Sequence, residues 1–172
     1  MNRRSTDAIS PRSAFSKLFA GSLVFISPLV SIAQSLQVQA IPTEASRDGT
    51  VIVKIVSPPG KEPLALQWDF SLPVSIRLDS TAAAAGEAAT QAQKSVRCEI
   101  LANRQGKDQI CRCILAGGTS PISNGPIAVM PYSTTRARPG NYEVRIKKAL
   151  AVSGDSKKAG IKDTQTEIRV AK

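Results

Sequence analysis

No histidine occurs anywhere in the 172-residue chain. Its absence excludes a Ser-His-Asp triad and a Cys-His nucleophile pair, because both need an imidazole to take the proton. It also removes a principal zinc ligand, and a Cys-x-Cys pair with one distant cysteine falls short of a four-ligand site. Aromatic residues are scarce, at 4% of the chain. Beyond the N-terminal segment only Trp68, Phe70, Tyr132 and Tyr142 remain, which is thin support for a stacked-ring sugar platform. No Asp-x-Asp-x-Asp-Gly run is present. Asp48, Asp155 and Asp163 stand singly in loops, where turn chemistry is the expectation and calcium has no motif behind it. No cofactor is expected. The first of three cysteines is Cys98, so no lipid-anchoring cysteine follows the N-terminal segment.

Residues 1–33 read as an export signal. Arg3, Arg4, Arg12 and Lys17 make a basic start, Leu18 to Val30 is apolar, and Ser31-Ile32-Ala33 offers small residues to a signal peptidase. Cleavage after Ala33 is expected, with residues 34–172 forming one domain. The apolar run is shorter than the ~20 residues a membrane span needs, and Ser27 and Pro28 interrupt it. The processed chain is therefore expected not to span a membrane, and to be secreted, periplasmic or at a bacterial cell surface. Basic residues number 23 against 13 acidic ones, and 19 against 12 without residues 1–33. Such a surplus favours acidic partners. The charges are scattered, apart from Arg145 with Lys147 and Lys148, and Lys157 with Lys158, which fits a solubilising surface. Export and the lack of a recognition motif argue against nucleic acid.

Apolar residues recur at every second position, the period of a strand with one face buried. Leu36, Val38 and Ala40 alternate in this way, then Val51, Val53 and Ile55. The clearest set is Leu64, Leu66, Trp68 and Phe70, with Ile76 and Leu78 as a short continuation after Pro73. Val96, Cys98 and Ile100 follow, then Cys111, Cys113 and Leu115, Ile127 and Val129, Tyr142, Val144 and Ile146, and Ile168 and Val170. Turns rich in Gly, Pro, Asn and Asp separate them, at 47–49, 103–108, 123–125 and 139–141. Eight or nine short strands at this spacing indicate an all-β sandwich. Residues 82–93, rich in alanine, allow one short helix by propensity without an anchoring apolar stripe.

The two cysteine-bearing strands form a hairpin. Cys111 and Cys113 are two apart and share a sheet face, so either can oppose Cys98. Pairing with Cys113 centres the turn between Gln105 and Gly106, and pairing with Cys111 centres it between Arg104 and Gln105. The third cysteine is then a buried thiol or a bridge to a second chain. Asp69 and Glu99 are the carboxylates to weigh for glycoside hydrolysis, and both fall at outward strand positions where solvated surface is expected. No enzymatic activity is expected. Trp68, Phe70 and Tyr142 sit in register with aliphatic residues and belong to the core. Tyr132, beside Pro131, is the one ring expected to be free for a ligand. Arg112, with Arg97 and Glu99, marks the outward side of the hairpin as the candidate binding face.

Leu64-Ala-Leu-Gln-Trp-Asp-Phe70, followed by the alanine-rich segment with Ala84-Ala-Gly86, resembles the opening strand signature of cohesin-like domains. Lys94-Ser-Val-Arg-Cys98, Cys113-Ile-Leu-Ala-Gly117, Ile122-Ser-Asn-Gly-Pro-Ile-Ala128 and Pro139-Gly-Asn-Tyr142 resemble the later parts of that pattern, in the same order. The resemblance covers about Leu36 to Val170. It implies a nine-stranded jelly-roll-like sandwich, related in fold to certain carbohydrate-binding modules. Its best known members bind dockerin modules in scaffolds of plant-cell-wall-degrading complexes. Exported bacterial relatives carry their second cysteine just before a Leu/Ile-Leu-x-Gly run, which implies a Cys98–Cys113 bridge. The expectation is an exported, non-enzymatic module that binds another extracellular or envelope protein. A carbohydrate-binding module for polysaccharide is the first alternative. The second is a structural subunit of a surface or secretion assembly.

Overall fold

Strand periodicity governs most of the chain, and the computed structural model describes residues 33–43, 48–101 and 108–171. The expected export signal, up to residue 32, lies outside the described residues. So do the hairpin tip at 102–107 and the start of the turn before Asp48. In chain order the strands are β1 (Ser35–Pro42), β2 (Asp48–Val56), β3 (Ala65–Pro73), β4 (Arg77–Leu78), β5 (Ala84–Ala85), β6 (Ser95–Leu101), β7 (Asp108–Ala116), β8 (Gly125–Ser133), β9 (Gly140–Val152), β10 (Lys158–Ile161) and β11 (Thr164–Val170). One short helix, α1 (Glu87–Gln91), lies between β5 and β6.

These strands make two antiparallel sheets. The first runs β1-β2-β8-β4, with β5 also paired to β8. The second runs β10-β9-β3-β7-β6, with β11 beside β10 along the same edge of β9. The architecture is a β-sandwich whose core lies between the inward faces. β3 contributes Leu66, Trp68, Phe70 and Leu72, and β2 contributes Val51, Val53 and Ile55, all buried. Trp68 and Phe70 meet edge to face, with centroids 6.3 Å apart, the arrangement their ring quadrupoles favour.

Two strands change phase where simple alternation does not predict it. On β8 the core residues are Ala128, Met130 and Tyr132 as well as Ile127, whereas Val129 is only half-buried. A register shift opposite Val53 and Lys54 inserts an extra residue at Ile127 and flips the side chains beyond it. On β9 the inward set Val144 and Ile146 gives way to Ala149 and Ala151. The shift lies opposite Gln67 to Asp69 of β3, and Lys148 has a positive φ of 52°.

The helix is anchored by alanines. Ala88, Ala89 and Ala92 are buried, and their small side chains let α1 lie against β8. Gly86 precedes it in close contact with β8: a Cβ there would fall 2.5 Å from the Pro126 carbonyl oxygen. Lys94 leads into β6 with its ammonium buried, donating to the carbonyls of Gly117 and Gly118. Burial lowers its pKa below the ordinary lysine value.

Candidate docking face

The outward side of the second sheet is set by register alone. One row across β6, β7, β3 and β9 is Arg97, Ile114, Gln67 and Leu150. The next is Glu99, Arg112, Asp69 and Lys147, and the third is Leu101, Ile110, Ser71 and Arg145. Aliphatic residues thus sit among charges on a face pointing away from the core. Ile114 is 46% exposed and Leu150 37%.

Asp69 holds the middle of this face and is only 4% exposed. The Arg112 guanidinium covers it with two parallel bonds, Nε to Oδ1 at 2.7 Å and Nη2 to Oδ2 at 2.9 Å. Such a bidentate pair fixes both side chains and raises the pKa of Arg112 further above its ordinary value. Ser71 Oγ donates to Asp108 Oδ2 at 3.0 Å on the same face. Beside the clamp lies a depression of about 370 Å³, lined by Asp69, Ser71, Leu101, Ile110, Arg112, Lys147 and Lys148.

No family model matches the chain, and no curated protein matches it. Solved structures do. The sixth cohesin of scaffoldin B from Acetivibrio cellulolyticus, solved in complex with a Cel5 dockerin variant, aligns at a TM-score of 0.61 and 11% identity. The alignment covers 81% of this chain and 99% of that one. The fold is that of a cohesin module. A cohesin module from a family 33 glycoside hydrolase of Clostridium perfringens aligns at 0.59 with 9% identity, over 81% of this chain and 97% of the other. A non-cellulosomal cohesin from Archaeoglobus fulgidus gives 0.54 and 11%, over 81% and 93%.

Within this cohesin-like domain the residues singled out by sequence separate clearly. Arg97, Arg112 and Glu99 share the outward face of the second sheet. Asp69 shares it too, but as a covered anion clamped to Arg112 rather than as solvated surface. Tyr132 corrects the expectation of a free ring: it is 4% exposed and belongs to the core. The cause is Gly49 on the paired strand, where a Cβ would fall 2.4 Å from Tyr132 Cζ and Oη. The ring occupies the space that a side chain at 49 would take. Tyr142 packs against the core, and its hydroxyl donates to the Arg138 carbonyl. Asp48, which opens β2 instead of standing in a loop, and the loop residues Asp155 and Asp163 form no cluster among the described residues. Asp155 accepts bonds from the Lys157 ammonium and, secondarily, from Ser153 Oγ, which pull its pKa down to about 2. Sequence singles out Lys147 and Lys148 only as a charge cluster with Arg145, and it does not single out Ile114 or Leu150. The signal for Ile114 is an apolar residue between inward Cys113 and Leu115.

The bridge joins Cys98 to Cys113, which face each other across β6 and β7 with Cα atoms 4.1 Å apart. Cys111 is the free, buried thiol, so linkage to a second chain would require opening the core. Burial, and secondarily the charge of Asp69, pushes its pKa up to about 11 from the ordinary 9.0. The fold therefore favours the protonated thiol. That contribution is fully present below about pH 9 and is lost as pH rises through 11. Native protein at pH 8 is expected to resist iodoacetamide and to react once in denaturant. Cys111→Ala is expected to flatten the fall in melting temperature between pH 9 and 11. Prompt native alkylation, or an unchanged alkaline slope in the variant, would contradict the buried-thiol assignment.

Proposed function

We propose that the chain is an exported, non-enzymatic docking module that binds another extracellular or envelope protein through the outward face of β6, β7, β3 and β9. The observation that carries this reading is the pair of exposed aliphatics, Ile114 and Leu150, flanking the Asp69–Arg112 clamp. Centres of protein interfaces combine desolvated apolar side chains with pre-fixed polar groups and leave charges to the rim. Bidentate pairing pre-orders Arg112, which reduces the side-chain entropy lost on binding. Structures with this fold add support: cohesins of scaffoldin B, OlpA and OlpC are described in complexes with dockerins. Polysaccharide recognition finds less support, because Trp68 and Phe70 face the core and Tyr132 is buried.

The test is capture of partners by crosslinking in envelope and culture supernatant of the source organism, with the full chain as bait. Ile114→Lys with Leu150→Lys is expected to weaken saturable capture of a protein partner roughly thirtyfold, the scale of losing interface hot spots. Gln39→Lys, on the exposed side of the first sheet, is expected to leave it unchanged. Equal loss with both variants, or capture of glycan alone, would sink the reading.

A further inference from the structure

We infer that the docked partner is a protein segment presenting an aspartate or glutamate next to an aliphatic side chain, with its carboxylate seated between Lys147, Lys148 and Arg112. The inference rests on the docking reading above and deepens it. In a regular strand, neighbouring residues point to opposite faces. Lys147 and Lys148 are neighbours on β9, yet both line the depression beside the Asp69–Arg112 clamp. The bulge makes this possible. β9 carries an extra residue opposite the stretch Gln67 to Asp69 of β3, and Lys148 adopts a φ of 52°. A side chain other than glycine, asparagine or aspartate is uncommon in that region and is held there against local strain. Beyond the bulge Ala149 and Ala151 return to the core. The strand thus keeps its packing while two consecutive lysines line one recess.

The lining of the recess carries three basic side chains, Arg112, Lys147 and Lys148, against one acid, Asp69, with Asp108 at its edge bonded to Ser71 and Glu143 within electrostatic reach of Lys147. The Asp69 carboxylate has both oxygens bonded to Arg112. Neither Lys147 nor Lys148 lies in an ion pair among the described residues. Leu101 and Ile110 supply half-buried aliphatic walls. The recess, about 370 Å³, has room for an acidic side chain and an aliphatic neighbour. Aliphatic walls without a stacked ring suit a peptide better than an anionic sugar.

A random peptide library displayed on phage and panned on the oxidised full chain tests this directly. Enriched sequences are expected to share Asp or Glu within four positions of Leu, Ile, Val or Met. Titration of one enriched synthetic peptide is expected to show tenfold or greater weakening with Lys147→Glu plus Lys148→Glu. Lys54→Glu on the other sheet is expected to have no effect. Lys148→Gly gives a control free of misfolding, since glycine accepts the positive φ. It is expected to hold or raise the melting temperature while weakening the peptide several-fold. Enriched peptides without acidic residues, whose binding falls with Ile114→Lys, would overturn the acidic anchor and leave the docking face standing. Peptides indifferent to both sets of changes would overturn both readings. No enriched peptide, with polygalacturonate binding lost on Lys147→Glu, would replace the protein segment by an acidic glycan.

Discussion

Trp68→Ala is expected to lower unfolding free energy by about 3–5 kcal/mol, the range for removing a large buried aromatic side chain. Trp68 is fully buried at the centre of β3 and meets Phe70 edge to face, so truncation opens a cavity between sheets that cannot close without moving backbone. A second variant sharpens the expectation. Among the described residues Trp68 Nε1 is buried without a hydrogen-bond partner, and such an orphan donor costs roughly 1–3 kcal/mol. Trp68→Phe removes the orphan along with part of the ring, so its net cost should be well under half that of the alanine variant. Urea unfolding at constant m-value measures both. Equal losses for Phe and Ala would contradict the packing described for this ring.

Loss of the Cys98–Cys113 bridge is the other large effect. It closes a loop with a sequence separation of 15, and a loop of that length is worth about 3 kcal/mol in the chain-entropy model. Cys98→Ala is expected to show that loss. Cys113→Ala should lose less under oxidising conditions, because the three sulfurs lie within 4.8 Å of one another and a backbone adjustment across the diagonal from Cys98 lets Cys111 take the vacated partner. Peptide mapping without reduction would then find Cys98 joined to Cys111. Equal destabilisation of both variants, with free thiols in each, would show that Cys111 cannot substitute.

Much of this fold is legible residue by residue. The alternations of β2 and β3 name core side chains directly, because those strands keep one phase along the residues that matter. The cysteine hairpin is legible as a pair of strands, but its register is not. Cys111 and Cys113 share a face, and only the resemblance to cohesin-like domains favours the second. β8 and β9 resist the same treatment. A bulge near Ile127 and another at Lys148 each shift the period, and bulges arise from long-range pairing that a local pattern does not carry. Tyr132 eludes a local pattern for a similar reason: its neighbour Pro131 suggests exposure, while the glycine that makes room for the ring lies 83 positions away on the paired strand. The candidate face was half visible. Arg112 follows from alternation with the cysteines, whereas the covering of Asp69 and the recess that Lys147 and Lys148 both line depend on strands far apart in sequence.

A photo-crosslinking residue placed at 114, on the outward face of the second sheet beside the Asp69–Arg112 clamp, tests the central claim most directly. The comparison is the same residue at 41, where Ile41 is 42% exposed on β1 of the first sheet. Irradiation in the producing organism is expected to join position 114 to one discrete protein partner and to give no such product at 41. Crosslinks at 41 with none at 114, or adducts carrying only glycan, would contradict a protein-docking face at the Asp69–Arg112 clamp.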